Sequence, residues 1–319
     1  MLRSGLASLP IRPTVLKTLT AFHHKILRGI LKLGPVSPLP PLYFLLGELP
    51  VEASLHLDVF ALFWNIWANP QTKIHDIVKY LLMMSDSSSL TWTAHLRLLF
   101  QLYNLPDPIQ LMNGQLWSKE RWSTMTKTAV TSTHEVALRK KASGNSKLNF
   151  LNVQTIGLAK RVHPVLSGVL TTQEALRSRI HVKMLSGDYP CYAYLGSDRN
   201  QDSQCRLCQS VSPSQPAPTE DMVHLLTRCK ATTDTRSRIL PELLNTISMY
   251  FPNNGILVHP NNTHLTQLIL DPSSLNLPMN ILISPCHPAL PQVLTVCRNL
   301  CFAIHKDRTR QLKLLGHSS

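Results

Sequence analysis

The sequence predicts a mainly α protein: a helical bundle, then basic helices, a small Cys-Cys-His-Cys module and a C-terminal helical tail. Three observations carry this. Apolar side chains recur at helical spacing over much of the chain. The stretches between them are short and rich in Pro, Gly, Asn and Ser. Four residues of metal-ligating type gather within 205–229. A hydrophobic content of 44% excludes wholesale disorder, and 319 residues allow two or three units with real cores.

The elements follow in order. Pro13 can open a helix, and residues 14–33 repeat Val15, Leu16, Leu19, Phe22, Ile26, Leu27, Ile30 and Leu31 at helical spacing, with Lys17, His24, Lys25, Arg28 and Lys32 on other faces. His23 and His24 read as a solvated pair on that helix. Gly34-Pro35 stops it, and 35–41 reads as a linker or rigid turn. Residues 51–68, 73–84 and 90–104 predict three further helices, separated by Asn69-Pro70, the serine-rich 85–89 and Pro106-Asp107-Pro108. Helices this dense, with short connections, predict a bundle.

Trp117 to about Ala142 predicts a long basic helix, despite threonines that lower its propensity. Trp117 and Trp122 belong in its core. Residues 143–170 are looser. Thr171 with Glu174 fits a capping box, which opens a short helix ending before Gly187 and favours helix over strand for the alternating Arg177, Arg179, His181 and Lys183. Residues 219–230 and 233–250 predict helices, 252–288 mostly loop with a short helix near 263–271, and 290–315 a helix with a basic end. Composition and motif divide the chain at 1–115, 116–186, 187–235 and 236–319.

The formal net charge is +14, which points toward a polyanionic partner. It is segregated: +6 over 1–47, −3 over 48–117, +9 over 118–185, −2 over 186–296 and +4 over 297–319. A coat serving only solubility would not separate this way. The +9 block is the expected nucleic-acid grip, with Lys119, Arg121, Lys127, Arg139, Lys140, Lys141, Arg177, Arg179 and Lys183 neutralising phosphates. Tyr189, Tyr192 and Tyr194 could stack on single-stranded bases or, equally, pack a small core. No membrane partner is expected, because Asp58, Asn65 and Asn69 interrupt the most apolar stretch short of the ~18 residues a spanning helix needs.

All seven cysteines follow residue 190, and the odd count without a convincing secretory signal argues against a disulfide framework. Four residues form Cys205-x2-Cys208-x15-His224-x4-Cys229. The first pair can present two thiolates from one tight turn. In an ideal helix Cys229 would point about 140° away from His224, so the helix must end or loosen there for both to face one ion. Four such ligands fill a tetrahedron, which makes Zn²⁺ at this site structural. The alternative is a coincidental or redox CxxC, but no thioredoxin-like βαβ pattern surrounds it. Cys191 is a substitute ligand, while Cys286, Cys297 and Cys301 read as buried thiols.

The segment HVKMLSGDYPCYAYLGSDRNQDSQCRLCQS, followed by PTEDMVHLLTRCKAT, resembles the C-terminal zinc-knuckle region of non-LTR (LINE-type) retrotransposon reverse transcriptases. There a basic helical segment leads into a CCHC zinc knuckle whose last ligands lie in E-x-x-x-H-L-L-x-x-C, here Glu220, His224, Leu225, Leu226 and Cys229. Residues 2–33 and 41–67 look like the helical thumb that follows the polymerase palm in such enzymes. The resemblance implies a thumb-like bundle over 1–115, a structural zinc, and RNA or DNA as partner beside other polypeptides of the same element.

The departures imply a non-catalytic part. The chain has no Tyr/Phe-x-Asp-Asp to hold catalytic metals. Its one adjacent acidic pair, Glu220-Asp221, suits the dipole at the start of the expected knuckle helix. His134-Glu135 begins an HExxH that Leu138 breaks, and GxSxG, P-loop and GxGxxG motifs are lacking. A second functional class, a helical protein–protein scaffold with a structural zinc, fits the same composition. The expected location is the nucleus, with the cytoplasm as alternative. The acid-free, amphipathic 1–47 looks like a mitochondrial presequence, a likeness read as accidental.

Overall fold

The computed structural model describes residues 6–10, 12–84, 91–154, 156–169, 171–193, 203–250, 261–274, 276–277, 281–282 and 288–316. Its elements are α1 (Pro13–Leu31), α2 (Leu39–Leu46), α3 (Val51–Trp67), α4 (Lys73–Met84), α5 (Trp92–Leu102), α6 (Pro108–Asn113), α7 (Lys119–Ser143), α8 (Thr172–Leu185), α9 (Arg206–Val211), α10 (Thr233–Tyr250), α11 (Asn262–Leu270) and α12 (Leu290–Leu314). Among the described residues, β structure is confined to one bridge, Gln204 with Thr219, and an antiparallel pair of two-residue strands, β1 (Asn276–Leu277) and β2 (Ile281–Leu282). The mainly α expectation holds. Two compact units divide the chain: unit 1 is Met1–Leu27, Gly47–Lys141 and Leu158–Lys160, and unit 2 is Arg28–Leu46, Ala142–Gly157 and Arg161–Ser319.

Unit 1 is organised by α3, which buries Ala53, His56, Phe60, Phe63 and Trp67 at alternating three- and four-residue steps, the spacing of one helical face. Phe60 and Phe63 meet Phe100 of α5 edge-on at ring-centroid distances of 5.5 and 5.1 Å. Trp122 of α7 closes the cluster, donating its indole N–H to the Phe60 carbonyl at 2.9 Å. Such aromatic pairs are worth roughly 0.5–1.5 kcal/mol beyond the area they bury. Asp107 caps α6 by accepting from Ile109 N–H, and Pro108 takes the first helical position, where no N–H is required. A second cluster is polar: the buried Tyr103 hydroxyl bridges His56 Nδ1 at 2.6 Å and His134 Nε2 at 3.0 Å.

Unit 2 is built around α12, which packs against α8, α9, α10 and α11. It buries Val293, Cys297, Leu300, Cys301, Ile304, Arg308 and Leu312 along one face. Both capping-box bonds at Thr171 are present, its hydroxyl accepting from Glu174 N–H at 3.2 Å while the Glu174 carboxylate accepts from Thr171 N–H at 2.9 Å. Gly187 ends this segment at φ +71°, and a Cβ there would lie 2.7 Å from Lys147 Cβ, so conformation and space both demand glycine.

Two expectations need correction. The stretch 35–41 is a linker only in its first half: α2 begins at Leu39, with Pro40 and Pro41 buried in a first turn whose N–H groups have no helical partner anyway. The helix over 219–230 does not form as one element. Thr219 pairs with Gln204 as extended backbone, a π-turn spans His224–Arg228, and a 3₁₀ turn follows at Lys230–Thr232.

Candidate metal centre

The site is assembled by three short backbone devices within unit 2. The first is the extended pairing around Gln204 and Thr219: Cys205 N–H donates to the Pro218 carbonyl at 2.7 Å, and Glu220 N–H to the Ser203 carbonyl at 2.9 Å. This brings the segment before Cys205 alongside the one before His224. The second is α9, with Cys205 at its N-cap and Cys208 in its first turn, so both sulfurs leave the same end of the helix. The third is the π-turn, closed by Cys229 N–H donating to the His224 carbonyl at 2.8 Å, five residues back. An α-turn would have left these ligands about 140° apart. The wider turn, and the break from helical geometry at Cys229 (ψ 119°), bring them to one point. Asp221 fixes the start of the turn by accepting from His224 N–H at 2.7 Å.

The ligand atoms of Cys205, Cys208, His224 and Cys229 all lie within 4.8 Å of one another, and all four residues are buried. Cys205 Sγ and Cys208 Sγ stand 3.9 and 3.7 Å from Cys229 Sγ, and Cys208 Sγ stands 3.4 Å from His224 Nε2. A tetrahedron with Zn–S of about 2.3 Å and Zn–N of about 2.05 Å has S···S edges of about 3.8 Å and S···N edges of about 3.6 Å. The donor set therefore fits a tetrahedral Zn²⁺ in chemistry and in size, with these four residues as its ligands.

Electrostatics favour thiolate at Cys229, while the Cys205 and Cys208 thiols are held above the ordinary value, Cys205 first by its hydrogen bond with Cys229 and Cys208 first by burial. The Cys229 thiol is held low, to about 4, first by its hydrogen bond with Cys205 and then by His224, against the opposing effect of burial. The N–H groups of Cys208, Lys230 and Ala231 are hydrogen-bonded to Cys205, Cys208 and Cys229, each stabilising negative charge on sulfur. Burial also pushes the Cys191, Cys297 and Cys301 thiols up, and none of these three joins the cluster. Cys286 lies outside the described residues.

The residues just outside the ligands were not legible in the sequence. Glu220, expected to serve a helix dipole, is instead fully buried and paired with Arg308 of α12 at 2.6 Å. Burial alone would weaken the Arg308 charge, but Glu220, Tyr189 and Cys191 beside it together more than offset that and raise its pKa. Arg308 also donates to the Pro190 carbonyl at 2.9 Å and lies 5.5 Å from each ring centroid of Tyr189 and Tyr192. The two tyrosines are only 2% and 9% exposed, which excludes base stacking on this surface and selects the packing alternative. Tyr192 packs with Cys205, Leu207, Cys208, Cys229 and Leu312, while the Tyr189 hydroxyl meets His305 Nδ1 at 3.0 Å. Tyr194 lies outside the described residues.

The basic residues divide between the units. On α7 in unit 1, Lys119, Arg121, Lys127, Lys140 and Lys141 are exposed, and Arg139 is half-buried against Glu135 at 3.0 Å. At 100° per residue they spread around the helix rather than forming one stripe. Lys119 and Lys127 line a groove of about 460 Å³ that also holds Asp58, and the Arg121 guanidinium lies 4.2 Å over the Trp117 ring. On α8 in unit 2, Arg179 is exposed, and Arg177 and Lys183 are half-buried.

Fold and site thus define an all-α protein with a compact Cys/His cluster able to chelate a metal. No family model, curated protein or solved structure matches the chain. No helix among the described residues is long and apolar enough to cross a membrane.

Proposed function

We propose that the chain is a non-catalytic nucleic-acid-binding module, of the kind that forms the C-terminal region of a non-LTR retrotransposon reverse transcriptase, with Zn²⁺ as a structural ion. The observation that carries the reading is the set of exposed cations on α7 and α8, Lys119, Arg121, Lys127, Lys140, Lys141 and Arg179, in a chain of net charge +14. Cations of this kind neutralise backbone phosphates and give salt-dependent, largely sequence-independent affinity. The partner is RNA or DNA, together with other polypeptides of the same element, and the nucleus is where the complex would act.

Two features support the non-catalytic part of the reading. His134 and Glu135 are occupied structurally, the first by the Tyr103 hydroxyl and the second by Leu158 N–H at 2.6 Å and Arg139. The group formed by buried His163 and Asp271 with half-buried Ser273 is no nucleophile–base pair either. His163 Nδ1 accepts from Val165 N–H, so in the neutral ring Nε2 carries the proton and cannot take one from Ser273.

The test is binding of single- and double-stranded oligonucleotides across a salt series, for the wild type and a Lys140→Ala/Lys141→Ala/Arg179→Ala variant. The expected result is a linear fall of log affinity with log salt and a weaker, shallower dependence in the variant. A flat salt slope with unchanged affinity refutes the reading. The second reading, a protein–protein scaffold, is favoured by α4, where Ile74, Ile77, Leu81 and Met84 share one exposed face. Salt-insensitive association with a protein partner, without oligonucleotide binding, would establish it instead.

A further inference from the structure

Unit 2 holds a second concavity, distinct from the metal centre, of about 440 Å³ among α8, α10 and α12. Four cations line it, Arg177 from α8, Arg238 from α10, and Lys306 and Arg310 from α12, against the single carboxylate of Asp307. That carboxylate is already engaged, accepting from the Thr235 hydroxyl and pairing with Arg310 at 3.3 Å. Among the described residues, Arg177, Arg238 and Lys306 have no carboxylate partner. Like charges gathered on one concave wall repel one another, and a concave low-dielectric wall strengthens the field they project. An anion relieves that repulsion.

The shape and chemistry of the remaining wall narrow the anion. Gln173 and Asn299 contribute neutral amides, whose N–H groups complement phosphate oxygens. Phe302 and Ile239 add half-buried apolar surface beside the cations. Guanidinium groups match phosphate geometry bidentately, and an aromatic side chain next to them suits the sugar or base attached to that phosphate. A free inorganic anion would have no use for the apolar wall. The four cations come from three of the composition blocks, including the one whose net charge is −2, so only the folding of α8, α10 and α12 brings them together.

We propose that this pocket is a phosphate-binding site and that the phosphate it takes is a diester of a nucleic-acid strand. The strand as source rests on the function proposed above; the phosphate chemistry stands on the pocket alone.

The experiment uses the full chain loaded with zinc and two probes, inorganic pyrophosphate by calorimetry and a labelled single-stranded RNA oligonucleotide by anisotropy across a salt series. Three variants are compared: Arg238→Gln/Lys306→Gln, both exposed and remote from the core; Asn299→Asp, which puts a negative charge on the wall; and Lys140→Gln/Lys141→Gln on α7 as the control. Both pocket variants should weaken pyrophosphate and RNA about tenfold, and the double variant should lower the RNA salt slope by about 0.7, the value for one phosphate of a single strand. The α7 control should leave pyrophosphate binding unchanged. Pyrophosphate and RNA affinities equal in wild type and both pocket variants would overturn the site. Loss of pyrophosphate with RNA affinity unchanged would overturn the strand as source. Should the wild type bind pyrophosphate but no RNA, the function proposed above fails and the strand fails with it, while the phosphate site survives.

Discussion

Acid should destabilise unit 1 through His56, and the size of the effect can be worked from its surroundings. The ring is 4% exposed, and burial, followed by the nearby His95 and His134, lowers its pKa from 6.5 to about 3. The fold therefore holds the neutral form. Above pH 6.5 neither the folded nor the unfolded state is protonated, and His56 has no effect on the pH dependence. As pH falls below 6.5 the unfolded chain takes the proton first, so stability is lost progressively until the folded pKa is reached. The full loss would be about 5 kcal/mol, and at about pH 5 it would be about 2 kcal/mol. His95 and His134 are also lowered by burial and act in the same direction. The assay is urea unfolding followed by tryptophan emission at about pH 7.5 and about pH 5. Trp64, Trp67, Trp92, Trp117 and Trp122 all belong to unit 1, so the signal reports on that unit without interference from the metal centre. His56→Gln keeps a hydrogen-bonding side chain beside Tyr103 but does not titrate, and it should lose about 2 kcal/mol less than the wild type over this range. Equal losses in the two proteins would refute the reasoning.

Three more expectations can be checked on unit 2. Cys229→Ala removes the thiolate ligand that the π-turn delivers, so bound zinc should fall from one ion per chain to near zero by elemental analysis, and a chelator should reproduce the change in circular dichroism. Arg308→Met strands a buried carboxylate and should cost about 3–5 kcal/mol in chemical unfolding, whereas the paired change Glu220→Gln/Arg308→Met should cost clearly less. Gly187→Ala forces a side chain into a positive-φ position and against Lys147, and should lower stability by about 1–3 kcal/mol without changing zinc content.

What the sequence made legible was what is local. The capping box at Thr171 and Glu174 is decided by residues three apart, and it appears in the structure as read. The four ligands were legible because their chemistry and spacing are unusual together, and the need for the helix to loosen before Cys229 followed from the 100° step alone. What could not be read were contacts between distant segments. Nothing in the immediate neighbourhood of Glu220 signals that Arg308, 88 residues on, neutralises it. Tyr189 and Tyr192 carried two meanings until α12 was seen to cover them. Summing charge along the chain located the +9 block but concealed the convergence of Arg177, Arg238, Lys306 and Arg310, because a linear sum is blind to helices that meet in space.

The π-turn between His224 and Cys229 has a consequence for spacing. In a regular α-helix, residues four apart are about 40° out of phase, and residues five apart about 140°. The wide turn absorbs one surplus residue and returns the ligands to a common azimuth, so the centre responds to rotational phase and not to residue count. Deleting Thr227, a half-buried residue whose hydroxyl returns to the Val223 carbonyl, would leave an ordinary turn with its ligands still on one side. Spacings of four and five should therefore be interchangeable at this position. A sixth residue would carry the cysteine about 240° round the helix and out of reach of the ion.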